Sequence, residues 1–172
     1  MKIERGSKMK EIFAIPAVGA IIEKEEQGKK YILIQERQKE GGGIENGMLE
    51  LPAGKIREYE NIFEALRREV LEETGLKIIE IKGEAQTVSS DVRGYQTISF
   101  EPFCITQNLS GGYSIILQTF CCHAEGELAD KTNEAINMRW EVIDVVRSMV
   151  IQTPEKFYPM HINALRKYLS VE

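Results

Sequence analysis

One stretch of this chain constrains its fold more than any other: Gly54-Lys-Ile-Arg-Glu-Tyr-Glu60-Asn-Ile-Phe-Glu-Ala-Leu-Arg-Arg68-Glu69-Val70-Leu-Glu72-Glu73-Thr-Gly75-Leu76. Asn61 predicts the start of a helix as its N-cap, with Glu64 at the capping-box position. Gly75 predicts the end, because glycine takes the left-handed conformation that closes a helix. At about 100° per residue, Glu69, Glu72 and Glu73 fall within one arc of about 100°. Ile62, Leu66 and Val70 overlap or adjoin that arc, so one side of the helix is both buried and acidic. Three carboxylates this close repel one another, and partial burial adds a desolvation penalty. A bound cation relieves both, and hard oxygen ligands select Mg²⁺, Mn²⁺ or Ca²⁺.

The same residues resemble the Nudix box, G-x5-E-x7-R-E-U-x-E-E-x-G-U, in which U is a large aliphatic residue. Gly54, Glu60, Arg68, Glu69, Val70, Glu72, Glu73, Gly75 and Leu76 match every fixed position. A solvated, charge-rich surface helix, the usual meaning of such clusters, requires neither the two glycines nor this spacing. The resemblance implies a Nudix hydrolase, an α/β protein with an α/β/α sandwich around a mixed sheet. Such an enzyme splits a nucleoside diphosphate linked to another moiety. Glu69, Glu72 and Glu73 would then hold Mg²⁺, with Mn²⁺ as the substitute, and neutralise charge on the diphosphate oxygens. The resemblance adds the carbonyl of Ala53, the residue before the first box glycine, to the metal shell. It also supports an orienting role for Arg68, whose planar fork suits a neighbouring carboxylate. Glu60 ranks below the triad, as a cap or a supporting group.

The length of 172 residues suits one α/β domain spanning residues 1–172, with its core over about 12–170. A net charge of −5 argues against non-specific nucleic-acid binding, which needs a basic face. Cys104, Cys121 and Cys122 are an odd set with two adjacent members, which suits reduced strand residues in a cytoplasmic protein. Lys2, Arg5, Lys8 and Lys10 precede the apolar run from Ile12 to Ile22, an arrangement that imitates a secretory leader. Pro16 and Gly19 interrupt that run, and it is far short of the ~20 residues that span a bilayer. A buried strand over Ala17 to Ile22 and no membrane partner are the better reading.

Beyond that strand, Glu23 to Lys30 predicts a polar turn centred on Gly28, and Tyr31 to Glu36 the returning strand of a hairpin. Arg37 ends it, where the family often places a cation near the substrate; an exposed strand-end arginine fits as well. Gly41-Gly42-Gly43 reads as a linker or rim loop. After the box, strands are expected over Ile78 to Ile81, Gln86 to Ser90, Thr97 to Thr106, Tyr113 to His123 and Ile136 to Val142. Helices are expected over Ile143 to Val150 and from Pro159, with Ile162, Leu165 and Leu169 as the last helix's apolar stripe. Of Phe100, Phe103 and Tyr113, any one suits base stacking, but core packing is the commoner fate at strand spacing. His123 and His161, the only histidines, lack zinc-ligand spacing and read as structural or surface residues.

The acidic loop after the long strand supplies two candidates for a general base, Glu127 and Glu134, each also suited to plain surface solvation. Glu69 is a third, since the family also uses that position. Leu51-Pro52-Ala53 resembles the ADP-sugar hydrolases. The Ser-Pro-Gly-like turn that many of those carry is missing: residues 77–101 contain no proline, and the turn is Ser110-Gly111-Gly112. The expected activity is Mg²⁺-dependent hydrolysis of a small nucleotide, ADP-ribose or another ADP-sugar first. A nucleoside triphosphate pyrophosphatase and a non-catalytic nucleotide sensor stand as alternatives. A homodimer is the expected assembly, by analogy with the family.

Overall fold

A computed structural model describes residues 11–38, 41 and 43–171. The basic residues Lys2, Arg5, Lys8 and Lys10, and Gly42 of the triglycine, lie outside the described residues. Among the described residues, ten strands and three α-helices follow one another. Strands β1 (Ile15–Glu26) and β2 (Lys29–Arg37) form a hairpin longer than expected. Only Gln27 and Gly28 turn it, both at positive φ (51° and 75°), the backbone twist that two-residue hairpin loops favour. The short strands β3 (Leu49–Glu50) and β4 (Ala53–Lys55) then pair with β2 and β1. Helix α1 (Ile62–Thr74) follows, then β5 (Lys77–Ile81), β6 (Val88–Val92), β7 (Tyr95–Ser99), β8 (Cys104–Gln107), β9 (Ile115–Glu125) and β10 (Ala135–Val142). Helices α2 (Ile143–Gln152) and α3 (Pro159–Leu169) complete the chain.

Eight strands build a mixed sheet whose central path runs β10-β2-β1-β9-β5, with β8 beside β9. The β1–β9 pairing is parallel and its neighbours are antiparallel. Side chains alternate across this sheet, and the alternation divides the core in two. Val18, Ala20, Ile22, Leu33, Phe120 and Cys122 face α1, where they meet Phe63, Leu66 and Val70. Ile21, Ile32, Ile34 and Cys121 face the other way, toward Val146 and Val150 of α2 and Leu165 and Leu169 of α3. The sheet therefore lies between helices on both faces, as the resemblance implies. Period-two alternation also sends the adjacent Cys121 and Cys122 to opposite cores, and all three cysteines are free thiols. Burial pushes the Cys121 thiol up to about 11, which leaves it inert.

Three local expectations change. The strand expected over Thr97 to Thr106 breaks at Phe100–Phe103, where Pro102 has no N–H for a ladder. Its first part, β7, pairs only with β6 in a separate two-stranded sheet, while its second part, β8, joins β9. Glu84–Gln86 forms a 3₁₀ turn, so β6 begins at Val88. Glu64 does not close a capping box; its carboxylate pairs with Arg67 at 3.1 Å. Among the described residues no helix is long and apolar enough to cross a membrane.

Candidate active site

Helix α1 positions the acidic arc. Asn61 caps it, accepting a hydrogen bond from the Phe63 N–H at 2.9 Å, a contact typically worth about 1 kcal/mol. Gly75 ends it at φ 79°, its N–H donating to the Leu71 carbonyl. Ile62, Phe63, Ala65, Leu66 and Val70 are buried beneath it. Each large apolar side chain buried there contributes roughly 1.5–3 kcal/mol, which sets the helix's rotation and hence where the carboxylates point.

The three carboxylates sit at graded depths. Glu73 is 4% exposed. It accepts hydrogen bonds from Gln35 Nε2 at 2.8 Å and from the Ala53 N–H at 3.1 Å. The Glu69 side chain is 14% exposed and the Glu72 side chain 54%. Gly54 leaves room for the Glu69 carboxylate against the β4 backbone. Among the described residues no three acidic or histidine side chains converge into a ready-made cation cage. The repulsion expected between these carboxylates is instead relieved by donors of this chain.

Arg68 supplies most of that relief. Its Nε and Nη2 grip both oxygens of Glu60 at 2.7 and 2.8 Å. Its Nη1 donates to Glu69 at 2.5 Å and reaches Glu72 at 3.4 Å. Its Nη2 also donates to the Lys55 carbonyl. One guanidinium thus ties the residue before the helix, the strand β4 and two of the three arc carboxylates together. The Arg68 hydrogen bonds hold the Glu60 carboxyl down at about 2, and Glu60 in turn raises Arg68 further above its usual range. Glu60 is a full member of this network, more central than its sequence rank implied. Arg57 adds a longer contact to Glu72, at 3.8 Å.

Two adjoining concavities open above the helix. A polar cleft of about 420 Å³ is lined by Glu69, Glu72, Glu73, Thr132, Asn133 and Glu134. Every titratable donor around it is a carboxylate, and a hard-oxygen set of that kind suits Mg²⁺ or Mn²⁺. The second cavity, about 310 Å³, shares Glu69 and Glu134 with the cleft and runs on past Ala53, Gly54, Lys55 and Glu50 to Arg37, Tyr113, Tyr158 and His161. Of the two loop glutamates, Glu134 borders both spaces. Glu127 is exposed and borders neither; its backbone packs over Gly75 at the C-terminal end of α1.

The model of the NUDIX domain matches residues 14–160. The chain belongs to the Nudix family. It is a hydrolase of that family by its domain, and the sandwich is the family's fold. Comparison with curated proteins returns no match. Among solved structures, the MutT protein from Methanosarcina mazei Go1 is 20% identical over 90% of this chain and 92% of its own, with a TM-score of 0.62. The NUDIX domain of Shewanella oneidensis NrtR, complexed with ADP-ribose, is 14% identical over 96% and 93%, with a TM-score of 0.64. An Ap4A hydrolase from C. elegans is 15% identical over 91% and 96%, with a TM-score of 0.54.

Some residues of this candidate site were missed by sequence reasoning. Gln35 and Glu50 look like ordinary strand polar residues, yet both are buried. Each sits next to buried apolar neighbours, so a polar residue breaking a core strand was the available signal. Arg37 ends β2 as expected, but its Nη1 contacts Glu50 at 3.0 Å and its Nε lies 3.4 Å from Glu45. Phe100 packs against Phe63 and Phe120, and Phe103 against Tyr168, leaving Tyr113 as the aromatic of that trio that lines the cavity. His161 is buried there rather than on the surface. Chain order offered no signal for that.

Proposed function

We propose that this protein is a Mg²⁺-dependent hydrolase of the diphosphate bond in a nucleoside diphosphate linked to a second moiety. The observation that carries the reading is the sharing of Glu69 and Glu134 between the carboxylate cleft and the mixed polar and aromatic cavity. A diphosphate bound over the cleft leaves its organic end beside the cavity. Glu69, Glu72 and Glu73, with the carbonyl of Ala53, are the oxygen donors for the cation. When bound, Mg²⁺ supplies charge neutralisation at the phosphate oxygens and lowers the pKa of a water.

The chain's own residues do the rest. Arg68 is a positioning residue, because its contacts run through Glu60, Glu69 and Glu72. Glu134 is the base that takes the proton of the attacking water, since it borders both spaces, Glu127 borders neither, and Glu69 is placed on the cation. Arg37 shapes the substrate cavity together with Glu50. ADP-ribose is the first candidate substrate, supported by the ADP-ribose complex of the NrtR domain and by Leu51-Pro52-Ala53.

The test is a screen with Mg²⁺ that resolves products by chromatography. The panel holds ADP-ribose, other nucleotide sugars, dinucleoside polyphosphates and common and oxidised nucleoside triphosphates. AMP plus ribose 5-phosphate establishes the ADP-sugar reading. Pyrophosphate plus a nucleoside monophosphate replaces it with a triphosphate pyrophosphatase. Tight binding of one compound without turnover of any overturns the hydrolytic reading in favour of a sensor.

A further inference from the structure

The far wall of the 310 Å³ cavity is built from three side chains in series. The Arg37 guanidinium lies 4.6 Å from the centre of the Tyr158 ring, and that ring lies 5.7 Å from the ring of His161. Tyr158 and His161 flank Pro159, which opens α3. His161 is 2% exposed, and its Nδ1 has no hydrogen-bond partner among the described residues. A buried polar atom left in that state typically costs about 1–3 kcal/mol, and native structures seldom keep one without a ligand or water to meet it. Here the residue lines a cavity that adjoins the active carboxylates.

The charge of this wall decides what kind of group it meets. Arg37 is already engaged by Glu50 and Glu45, and Glu134 stands at the shared rim. Burial and the adjacent Arg37 push the His161 imidazole down to about 3, so it is neutral at physiological pH. The Arg37 end of the wall therefore offers no surplus positive charge for a phosphate; the cavity's other cation, Lys55, lies 5.6 Å over the Tyr113 ring. The wall offers an imidazole with one donor and one acceptor, beside Tyr158, Tyr113 and Met160. Flat aromatic walls with one polar group are the chemistry that accepts a heteroaromatic ring.

We propose that His161 is a specificity-determining residue whose imidazole hydrogen-bonds the edge of a neutral nucleobase seated in this cavity. The inference rests on the proposed function only for the substrate's orientation, with phosphates toward Glu69 and the base toward α3. Base selection then comes from a buried group left unpaired by the wrong heterocycle, the most discriminating arrangement a binding site has.

The experiment titrates metal-free wild-type protein, ¹⁵N-labelled at histidine, with adenosine, guanosine, cytidine and uridine, and with ribose as the base-free control. At least one nucleoside should move the His161 ring-nitrogen resonances while ribose leaves them in place. His161→Phe should then weaken that nucleoside by about tenfold or more, the scale of one hydrogen bond to a buried group, and His161→Asn should recover part of the loss. On any substrate found in the product screen, His161→Phe should raise KM and flatten base preference with kcat little changed. Unmoved His161 resonances, or a base preference that survives in folded His161→Phe, would overturn the proposal. Nucleoside binding requires no hydrolysis, so an inactive but nucleoside-binding protein would fail the proposed function alone. An active enzyme with a silent His161 would fail this inference alone.

Discussion

The Glu69 carboxylate occupies the space that a side chain at residue 54 would need. A Cβ on Gly54 would lie 2.0 Å from both Cδ and Oε2 of Glu69. No heavy atoms tolerate that approach, so the first glycine of the box admits a carboxylate that belongs to the fourth of its fixed positions, fifteen residues later in the chain. Gly54 is not at positive φ, which makes close approach, rather than turn geometry, the reason for glycine here.

Gly54→Ala should therefore fold and fail. The clash falls on the end of a flexible side chain, which swings aside, so melting temperature should stay within a few degrees. Turnover should drop by roughly 100-fold, the usual cost of about 1 Å of misplacement at a reacting centre. Wild-type turnover in this variant would show that Glu69 needs no fixed position.

Glu72→Gln and Glu73→Gln should both lose most activity at saturating Mg²⁺, but for stability they should part company. Glu72 is half-exposed, and its amide should leave the thermal midpoint alone. Glu73 is buried and accepts from Gln35 and the Ala53 N–H, so an amide there loses a charge-assisted acceptor and about 1–3 kcal/mol of stability. Thermal melts alongside turnover assays check both, and full activity in either variant would sink the metal assignment.

Arg68→Ala should lower turnover by releasing Glu60, Glu69 and Glu72 together, and Arg68→Lys should recover little. An ammonium cannot reproduce the two-pronged grip on Glu60 while also holding Glu69. Full rescue by lysine would reduce the role of Arg68 to charge alone. The readout is kcat for both variants at matched Mg²⁺.

Glu134→Gln should slow the reaction by about 100-fold or more, the lower range for losing a general base, while Glu127→Gln should behave as wild type. The two residues lie in one acidic loop and have the same chemistry. Only their placement differs. A pH–rate profile of kcat that loses its acidic limb in Glu134→Gln would identify the base; equal effects from both substitutions would contradict the assignment.

Stability should rise with pH between about 3 and 6.5 and then level off. The unfolded His161 binds a proton below 6.5, whereas the folded imidazole, pushed down by burial and Arg37, resists one until about 3. Within that window the unfolded state holds the extra proton, so lowering the pH favours unfolding. Glu60 acts in the same direction but only below its ordinary 4.5, as the pH falls toward about 2. Urea titrations between pH 4.5 and 6.5 therefore isolate His161, and His161→Phe should flatten the slope there. An unchanged slope would mean that the imidazole is not buried neutral.

Much of this site was legible from residue order because helix geometry is local. Asn61, the spacing of Glu69, Glu72 and Glu73, and Gly75 lie within one helix and its caps, where about 100° per residue fixes relative directions. The buried strand over Ala17 to Ile22 and its hairpin partner were equally readable, whereas the division of Cys121 and Cys122 between opposite cores emerges only from the folded sheet. Where a single proline removed a ladder hydrogen bond, at Pro102, the reading of one continuous strand failed, since neither half's partner can be inferred from the segment itself.

The sequence by itself determined that an acidic, capped helix with the Nudix spacing would exist, and that strands and helices would alternate around it. Only the tertiary structure decided which distant residues meet that helix. Gln35 and Ala53 reach Glu73 because β2 and β4 flank β1. Glu134, and not Glu127, borders the cleft because of where the chain runs between β9 and β10. His161 joins Arg37 through Tyr158 because α3 packs back across the sheet, more than a hundred residues later in the chain. Periodicity acts between neighbours a few residues apart. Contacts across such separations depend on which faces pack together, and only the folded chain determines that.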